Sequence, residues 1–322
     1  MGFNILRYEH KGATAWGVQK DDHVIPFAQY GAGLKTILAE EHLAAAKQLA
    51  ENGEPGSIPL SDVNILSPVT RPTRLLALGV NYHDHREEAG SDQHAEETLF
   101  FRKDDSAINT PTGDIVRPGT EPLLDYEVEM GLVIKKGITA PTEITPNNIG
   151  EYVAGMVLVN DMSARVTMIG APFSQWYKGK SGRTMCPIGP YIHIFGEGEA
   201  AQMHEMEIKL WVNDELRQDA HTRDLIAKPE AALTEASGFV DLAPGDVLLT
   251  GTPGGVAIKA PSDLVMFVSQ FIPAKRRIKM LIDGQLKSGK FLNDGDVVRC
   301  TLKSADGSID CGEQINRVVS LK

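Results

Sequence analysis

The chain has 322 residues, 42% of them hydrophobic and 23% charged, ample material for a large core with one catalytic-sized domain and a smaller one. Its formal net charge of -11 excludes nucleic acid as a partner, since neutralising phosphates needs a basic face. No window approaches the roughly 20 apolar residues of a membrane span, and the start MGFNILRYEH lacks a leader's apolar run, so no membrane contact is expected. Cys186, Cys300 and Cys311 are odd in number and form no C-x-x-C pair. They read as reduced, buried thiols of a cytoplasmic protein.

In chain order, residues 3–8, 15–18 and 24–26 predict short strands. A helix follows over 34–50, with Leu34, Ile37, Leu38, Ala45 and Leu49 on one stripe and Asn52-Gly53 as its stop. This is a small α/β domain of residues 1–70. The run Ser67-Pro68-Val69-Thr70-Arg71-Pro72 is a proline-punctuated connection that marks the boundary. Strands are then predicted over 75–80, 127–134, 152–160, 207–212, 247–250 and 297–302, with a helix over 229–240. The class is therefore α+β and β-dominated, in preference to a doubly wound α/β sheet.

The segment Asp125-Tyr126-Glu127-Val128-Glu129-Met130 carries the first chemistry. In a strand, residues i and i+2 share a face, so Glu127 and Glu129 converge while Val128 and Met130 point away. Two like charges so close need a cation or a bridging proton. The apolar strand over 152–160 delivers Asp161 at its end as a third hard oxygen ligand. Three carboxylates suit Mg²⁺ or Mn²⁺, with Ca²⁺ also accommodated, far better than Zn²⁺. Asp125 remains a rival ligand.

The segment Asn81-Tyr82-His83-Asp84-His85-Arg86-Glu87-Glu88 follows a strand. If it is helical, His85 with Glu88 and His83 with Glu87 are equally legal pairs in which the carboxylate raises the imidazole's basicity. The turn Thr250-Gly251-Thr252-Pro253-Gly254-Gly255 can seat an anion on backbone N–H groups, with the Thr252 hydroxyl as a further donor. It is not a P-loop, since the Lys-Ser/Thr ending is absent.

Taken in order, Asn-Tyr-x-x-His (81–85), Asp-Tyr-Glu-x-Glu (125–129), Asn-Asp-x-Ser-Ala-Arg (160–165), Lys-Ser (180–181) and Thr-Gly-Thr-Pro (250–253) resemble the fumarylacetoacetate hydrolase family. The resemblance spans about 72–259 and resumes near Leu292–Val298. It implies a mixed β-roll catalytic domain over 71–322, a homodimer, and an active site under a mobile lid. It also implies Glu127, Glu129 and Asp161 as metal ligands, His85 rather than His83 as the catalytic histidine, Glu88 as the lid glutamate beside it, and Lys180 as the pocket lysine. Thr252 is matched to a threonine near the substrate carboxylate, Arg165 to a supporting arginine, and Tyr82 is placed on the substrate side.

The expected activity is metal-dependent hydrolysis of a carbon–carbon bond in an acylpyruvate-like 2,4-dioxo acid, releasing pyruvate or a related oxo acid. The alternative is an isomerase, tautomerase or decarboxylase of a 2-oxo acid using the same enolate chemistry. Two departures bear on that choice. Where many family members carry a glutamine that serves the oxyanion, this chain has Met168, with Thr167 as the stand-in donor. An insertion near 260–291 holds an apolar run at 264–272, expected as core or dimer surface, and the basic Lys275-Arg276-Arg277, expected on a solvated face.

Overall fold

The computed structural model describes residues 1–28, 31–53, 56–92, 97–170, 173–260 and 272–320. Within them, a twelve-stranded mixed sheet is the frame. Across it run Ile58–Pro59, His23–Ala28, Ala13–Lys20, Phe3–His10, Cys186–Ile194, Val153–Asn160, Val128–Ile134, Val247–Leu249, Leu75–Gly79 and Leu99–Lys103, with Asn64–Leu66 beside Phe3–His10 and Ile108–Asn109 beside Cys186–Ile194. A second sheet of five strands orders Glu215–His221, Met206–Val212, Val297–Ser304, Asp310–Ser320 and Ile115–Arg117. The architecture is thus β-dominated with mixed sheets. The N-terminal strands extend the same large sheet, because Phe3–His10 pairs antiparallel with Cys186–Ile194.

The period of two in the central strands decides which layer each face meets. Val128, Met130, Leu132 and Ile134 share a core with Ile208, Leu210, Val298, Cys300 and Leu302 of the second sheet. Val133, Val157, Val159, Val247 and Leu249 pack in a second core with Leu34, Ile37, Leu38 and Ala46. Both faces of the central strands are covered, so they read as apolar runs, broken in Val128–Ile134 by Glu129.

The helix expected over 34–50 is two helices, Leu34–Ile37 and Glu40–Asn52. The break at Ala39, which is extended, lets Leu34, Ile37 and Leu38 dip into the core. Glu40–Asn52 then lies over the surface with Ala46 as its buried residue. Its stop is as expected: Gly53 at φ +67 caps the end, and its N–H donates to the Leu49 carbonyl at 2.8 Å. In the insertion, the apolar run expected at 264–272 lies, except for Ile272, outside the described residues. Ala274–Leu286 is a helix on which Arg276 and Arg277 are exposed.

Gly155 marks the closest approach inside the large sheet: a Cβ there would sit 1.9 Å from the His193 carbonyl oxygen. Gly155→Ala is expected to lower stability by at least about 1–3 kcal/mol through forced backbone displacement. A shift of the urea midpoint checks this.

Candidate active site

Val128–Ile134 and Val153–Asn160 run antiparallel with Val128 opposite Asn160. The residues just before one strand and just after the other therefore lie side by side. The Asp161 N–H donates to the Glu127 carbonyl at 2.7 Å, and the Glu127 N–H donates to Asn160 Oδ1 at 3.1 Å. These bonds fix three buried carboxylates, of Glu127, Glu129 and Asp161, with ligand oxygens all within 4.8 Å of one another. Asp125 lies outside this group. Its oxygens accept from the backbone N–H groups of Tyr126, Ala257 and Ile258 and from Arg165 Nε, at 2.8–3.1 Å, which occupies its lone pairs.

Three buried cations answer the four carboxylates. Lys180 Nζ bridges Glu127 Oε2 at 2.7 Å and Asp161 Oδ2 at 2.6 Å. Arg165 Nη2 contacts Glu127 Oε1 at 2.6 Å and Asp125 Oδ2 at 2.8 Å. Lys103, fully buried, pairs with Asp161 Oδ1 and donates to the Met162 carbonyl at 3.2 Å. Ser163 Oγ donates to Glu127 Oε1 at 2.9 Å. Burial alone would raise the Glu127 pKa, but Lys180 and Arg165 hold it far below the carboxylate range. Burial would also lower that of Lys180, and Asp161 and Glu127 hold it up. Arg165→Ala would leave two buried carboxylates without their shared partner, an expected loss of about 3–5 kcal/mol, measurable by chemical denaturation.

Glu129 is the exception. Burial, then Asp161 and Glu127, push its pKa well up. Its Oε2 accepts from the Gly251 N–H at 2.7 Å, while its Oε1 is buried with no partner. Among the described residues the set is one positive charge short, and the unpartnered oxygen lies on the carboxylate with no ion pair. Three hard oxygens with that deficit fit a divalent cation of the Mg²⁺ or Mn²⁺ type. Gly251 has φ +94 and sits close to Asn81. The glycine turn's N–H therefore holds a carboxylate of the protein itself.

Over this cluster lies the short helix His83–Glu88. His85 is buried and His83 exposed, which orients His85 inward. Burial lowers the His85 pKa; Glu127 partly offsets this, and Arg165 and Lys180 lower it further. The imidazole is therefore neutral at neutral pH, and its Nδ1 is buried without a partner. The Tyr82 hydroxyl is likewise buried and unpartnered, its pKa pushed up by burial, then by Glu129 and Asp224. Asn81 anchors the helix entrance, donating to the Ala227 and Thr250 carbonyls at 3.0 and 2.9 Å.

Two side chains are engaged elsewhere than the spacing suggested. Glu88 makes no hydrogen bond to His85: its Oε2 accepts from the Gly255 N–H at 2.9 Å, and its Oε1 lies 3.5 Å from Lys259 Nζ. It latches the helix to the glycine loop. The Thr252 hydroxyl donates to the Val128 carbonyl at 3.0 Å and accepts from Gln218 Nε2 at 2.8 Å, which ties the turn to both sheets. Thr167 is no stand-in donor, because its hydroxyl and N–H both donate to Glu121, at 3.0 and 2.9 Å. Met168 is buried against the helix Trp176–Lys180, where Gly179 makes room for it.

Lys103 and Gln218 escaped the sequence reading, and Ser163 stood in a motif with no role given to it. For Lys103 a signal existed: Leu99, Phe101 and Lys103 share a strand face, and Phe101 packs with the core. A lysine in register with an inward aromatic needs a buried anion.

The model of the fumarylacetoacetate (FAA) hydrolase C-terminal family matches residues 74–319. A Bos taurus protein described as "Oxaloacetate tautomerase FAHD2B, mitochondrial" is 38% identical over 202 residues, 62% of each chain. This chain thus spans 62% of that relative's length. The corresponding Xenopus laevis protein is 31% identical over 266 residues, covering 82% of this chain and 73% of its own. Among solved structures, maleylpyruvate hydrolase from Sphingobium sp. SYK-6, in complex with manganese (II) and pyruvate, superposes with a TM-score of 0.71 at 25% identity. The match covers 99% of this chain and 100% of that one. Fumarylacetoacetate hydrolase from Exiguobacterium antarcticum gives a TM-score of 0.73 at 26% identity with the same coverage. On the family match over three quarters of its length, and on the carboxylate cluster inside that match, the chain belongs to the fumarylacetoacetate hydrolase family.

Proposed function

We propose that the protein is a divalent-metal-dependent enzyme of 2-oxo acids that moves a proton at the carbon beside the keto group, as a tautomerase of an oxaloacetate-like substrate. The observation that carries this reading is the buried Glu127, Glu129 and Asp161 set with its unpartnered oxygen, beside Lys180 and a neutral His85. A Mg²⁺ or Mn²⁺ ion held by these three residues supplies Lewis-acid stabilisation of negative charge on a 2-oxo acid. His85, neutral and with Nδ1 unpartnered, accepts the carbon-bound proton. Lys180, kept charged by Asp161 and Glu127, stabilises the developing oxyanion or returns a proton. Arg165 holds Glu127, and Tyr82 presents a neutral O–H on the substrate side. In this reading Glu88 and Thr252 act on the lid and the turn rather than on the substrate.

Tautomerisation is favoured over hydrolysis by the side chains at 167 and 168. Attack of water on a carbonyl builds a tetrahedral oxyanion, and loss of one donor to it costs roughly 10²–10³ in rate. Met168 offers no donor, and Thr167 is committed to Glu121. The names of the animal relatives support the same choice. Carbon–carbon hydrolysis of an acylpyruvate is the second reading, favoured by His85 as a base for water and by the maleylpyruvate hydrolase neighbour.

A homodimer belongs to the proposal, since Phe173 and Tyr177 are exposed just before and on the helix Trp176–Lys180 that carries Lys180. The free, buried cysteines suit a reducing compartment such as the cytoplasm. The test uses metal-stripped protein, then Mg²⁺- or Mn²⁺-restored protein, with enol-oxaloacetate followed by its ultraviolet absorbance and acylpyruvates followed by product mass. Metal-dependent loss of enol without cleavage supports the tautomerase. Metal-dependent cleavage supports the second reading, and turnover unaffected by stripping overturns both.

A further inference from the structure

Away from the carboxylate cluster, a hollow of about 520 Å³ lies between the N-terminal strands and the Ser67–Arg71 connection. Arg7 and Arg71 line it, and among the described residues no Asp or Glu does. Arg7 is held from both sides, its strand pairing with Trp16 on one side and Leu66 on the other. Its Nε is buried without a hydrogen-bond partner. Burial lowers its pKa, and no carboxylate acts to restore it. Arg71 is fixed at the rim, where its Nη2 donates to the Ser106 and Ile108 carbonyls at 3.1 and 3.3 Å.

A neighbouring hollow of about 440 Å³ shares Gly33, Thr70 and Arg71 and adds Lys35, Arg74 and Arg102. Its two carboxylates are engaged: Asp105 accepts the Thr73 N–H at 3.1 Å, and Asp246 accepts those of Arg74 and Ala243, each at 2.8 Å, while lying 3.8 Å from Arg74 Nη1. In a chain with a net charge of -11, the five basic side chains Arg7, Lys35, Arg71, Arg74 and Arg102 gathered against these two acids are a local inversion. Guanidinium forks match carboxylate and phosphate oxygens, and a half-buried guanidinium with an idle donor is incomplete without an acceptor.

We infer that this groove binds a ligand with two anionic groups, one on the Arg7 guanidinium and one on that of Arg71. A diphosphate and a dicarboxylate share that chemistry, and the experiment separates them. Metal-stripped, desalted protein is titrated calorimetrically with inorganic pyrophosphate and, separately, with succinate, at ionic strength fixed by sodium chloride. Saturable binding of one ligand per chain is expected for one of them and identifies the class. Arg7→Gln and Arg71→Gln should each weaken it at least about tenfold, as loss of a charge-assisted pair requires, and Arg7→Lys should weaken it less than Arg7→Gln. Arg71 is exposed, so Arg71→Gln keeps the test open should Arg7→Gln fail to fold. No saturable binding of either anion, or equal binding by wild type and Arg71→Gln, overturns the inference.

Discussion

Replacing His85 with alanine is expected to lower kcat by about 10²–10⁴-fold, the usual contribution of a positioned general base, while leaving affinity for the divalent cation unchanged. The imidazole lies among the covering groups and is absent from the carboxylate cluster, so its loss should act on proton transfer alone. The pH profile provides an independent check. Burial lowers the His85 pKa, and Arg165 and Lys180 add to this against the opposing Glu127. A lowered pKa keeps the base unprotonated to lower pH, so activity should persist below the ordinary histidine range near pH 6.5 and fall only as pH drops through the lowered value. A divalent cation nearby pushes in the same direction. His85→Ala should lose this acid limb. Full activity in the variant, or a limb unchanged by it, would remove His85 from the role.

The second large effect is on Glu129. Glu129→Gln keeps the shape and the acceptor for the Gly251 N–H but removes the charge that has no cation beside it. Burial, Asp161 and Glu127 raise the folded-state pKa of Glu129, so the folded protein holds this proton more tightly than the unfolded chain. For such an acid, stability is greatest below the unfolded pKa and is lost as pH rises toward the raised folded value. Metal-free wild type should therefore lose stability over that rise relative to Glu129→Gln, and at neutral pH the metal-free variant should be the more stable. The order reverses with metal. At a cation concentration 100 times its dissociation constant, wild type should gain about 2.7 kcal/mol, a gain the variant largely loses. Thermal melts across pH, with and without Mn²⁺, read both signs.

The carboxylate cluster was legible because it rests on local periodicity. Alternation in one strand placed Glu127 and Glu129 together, and the length of the apolar run before Asp161 placed the third carboxylate at a strand end. That Val128 lies opposite Asn160 was not local information, and it alone brings the two ends side by side. The same limit hid the strand Cys186–Ile194, whose prolines disguise it although it joins the N-terminal strands to the centre of the sheet. Spacing did not show which hydrogen bonds the site's side chains make. Glu88 is three residues from His85 and accepts from the Gly255 N–H, a partner on a loop distant in sequence that no local spacing could show. Ordered motifs chose His85 over His83; of the two, His85 is buried and His83 exposed. What Met168 leaves unserved was visible in the sequence. That Thr167 is bound to Glu121 required the fold.

The central claim is that Glu127, Glu129 and Asp161 hold a divalent cation on which turnover depends, and a Mn²⁺ titration of metal-stripped protein tests it most directly, with binding followed by electron paramagnetic resonance and activity assayed in parallel. One Mn²⁺ per chain is expected, with activity rising in proportion to occupancy, and Glu129→Gln should bind at least about 100-fold more weakly, beyond the 10–100-fold seen for supporting residues. Undiminished activity in the stripped protein, or Mn²⁺ bound equally by wild type and Glu129→Gln, would contradict it.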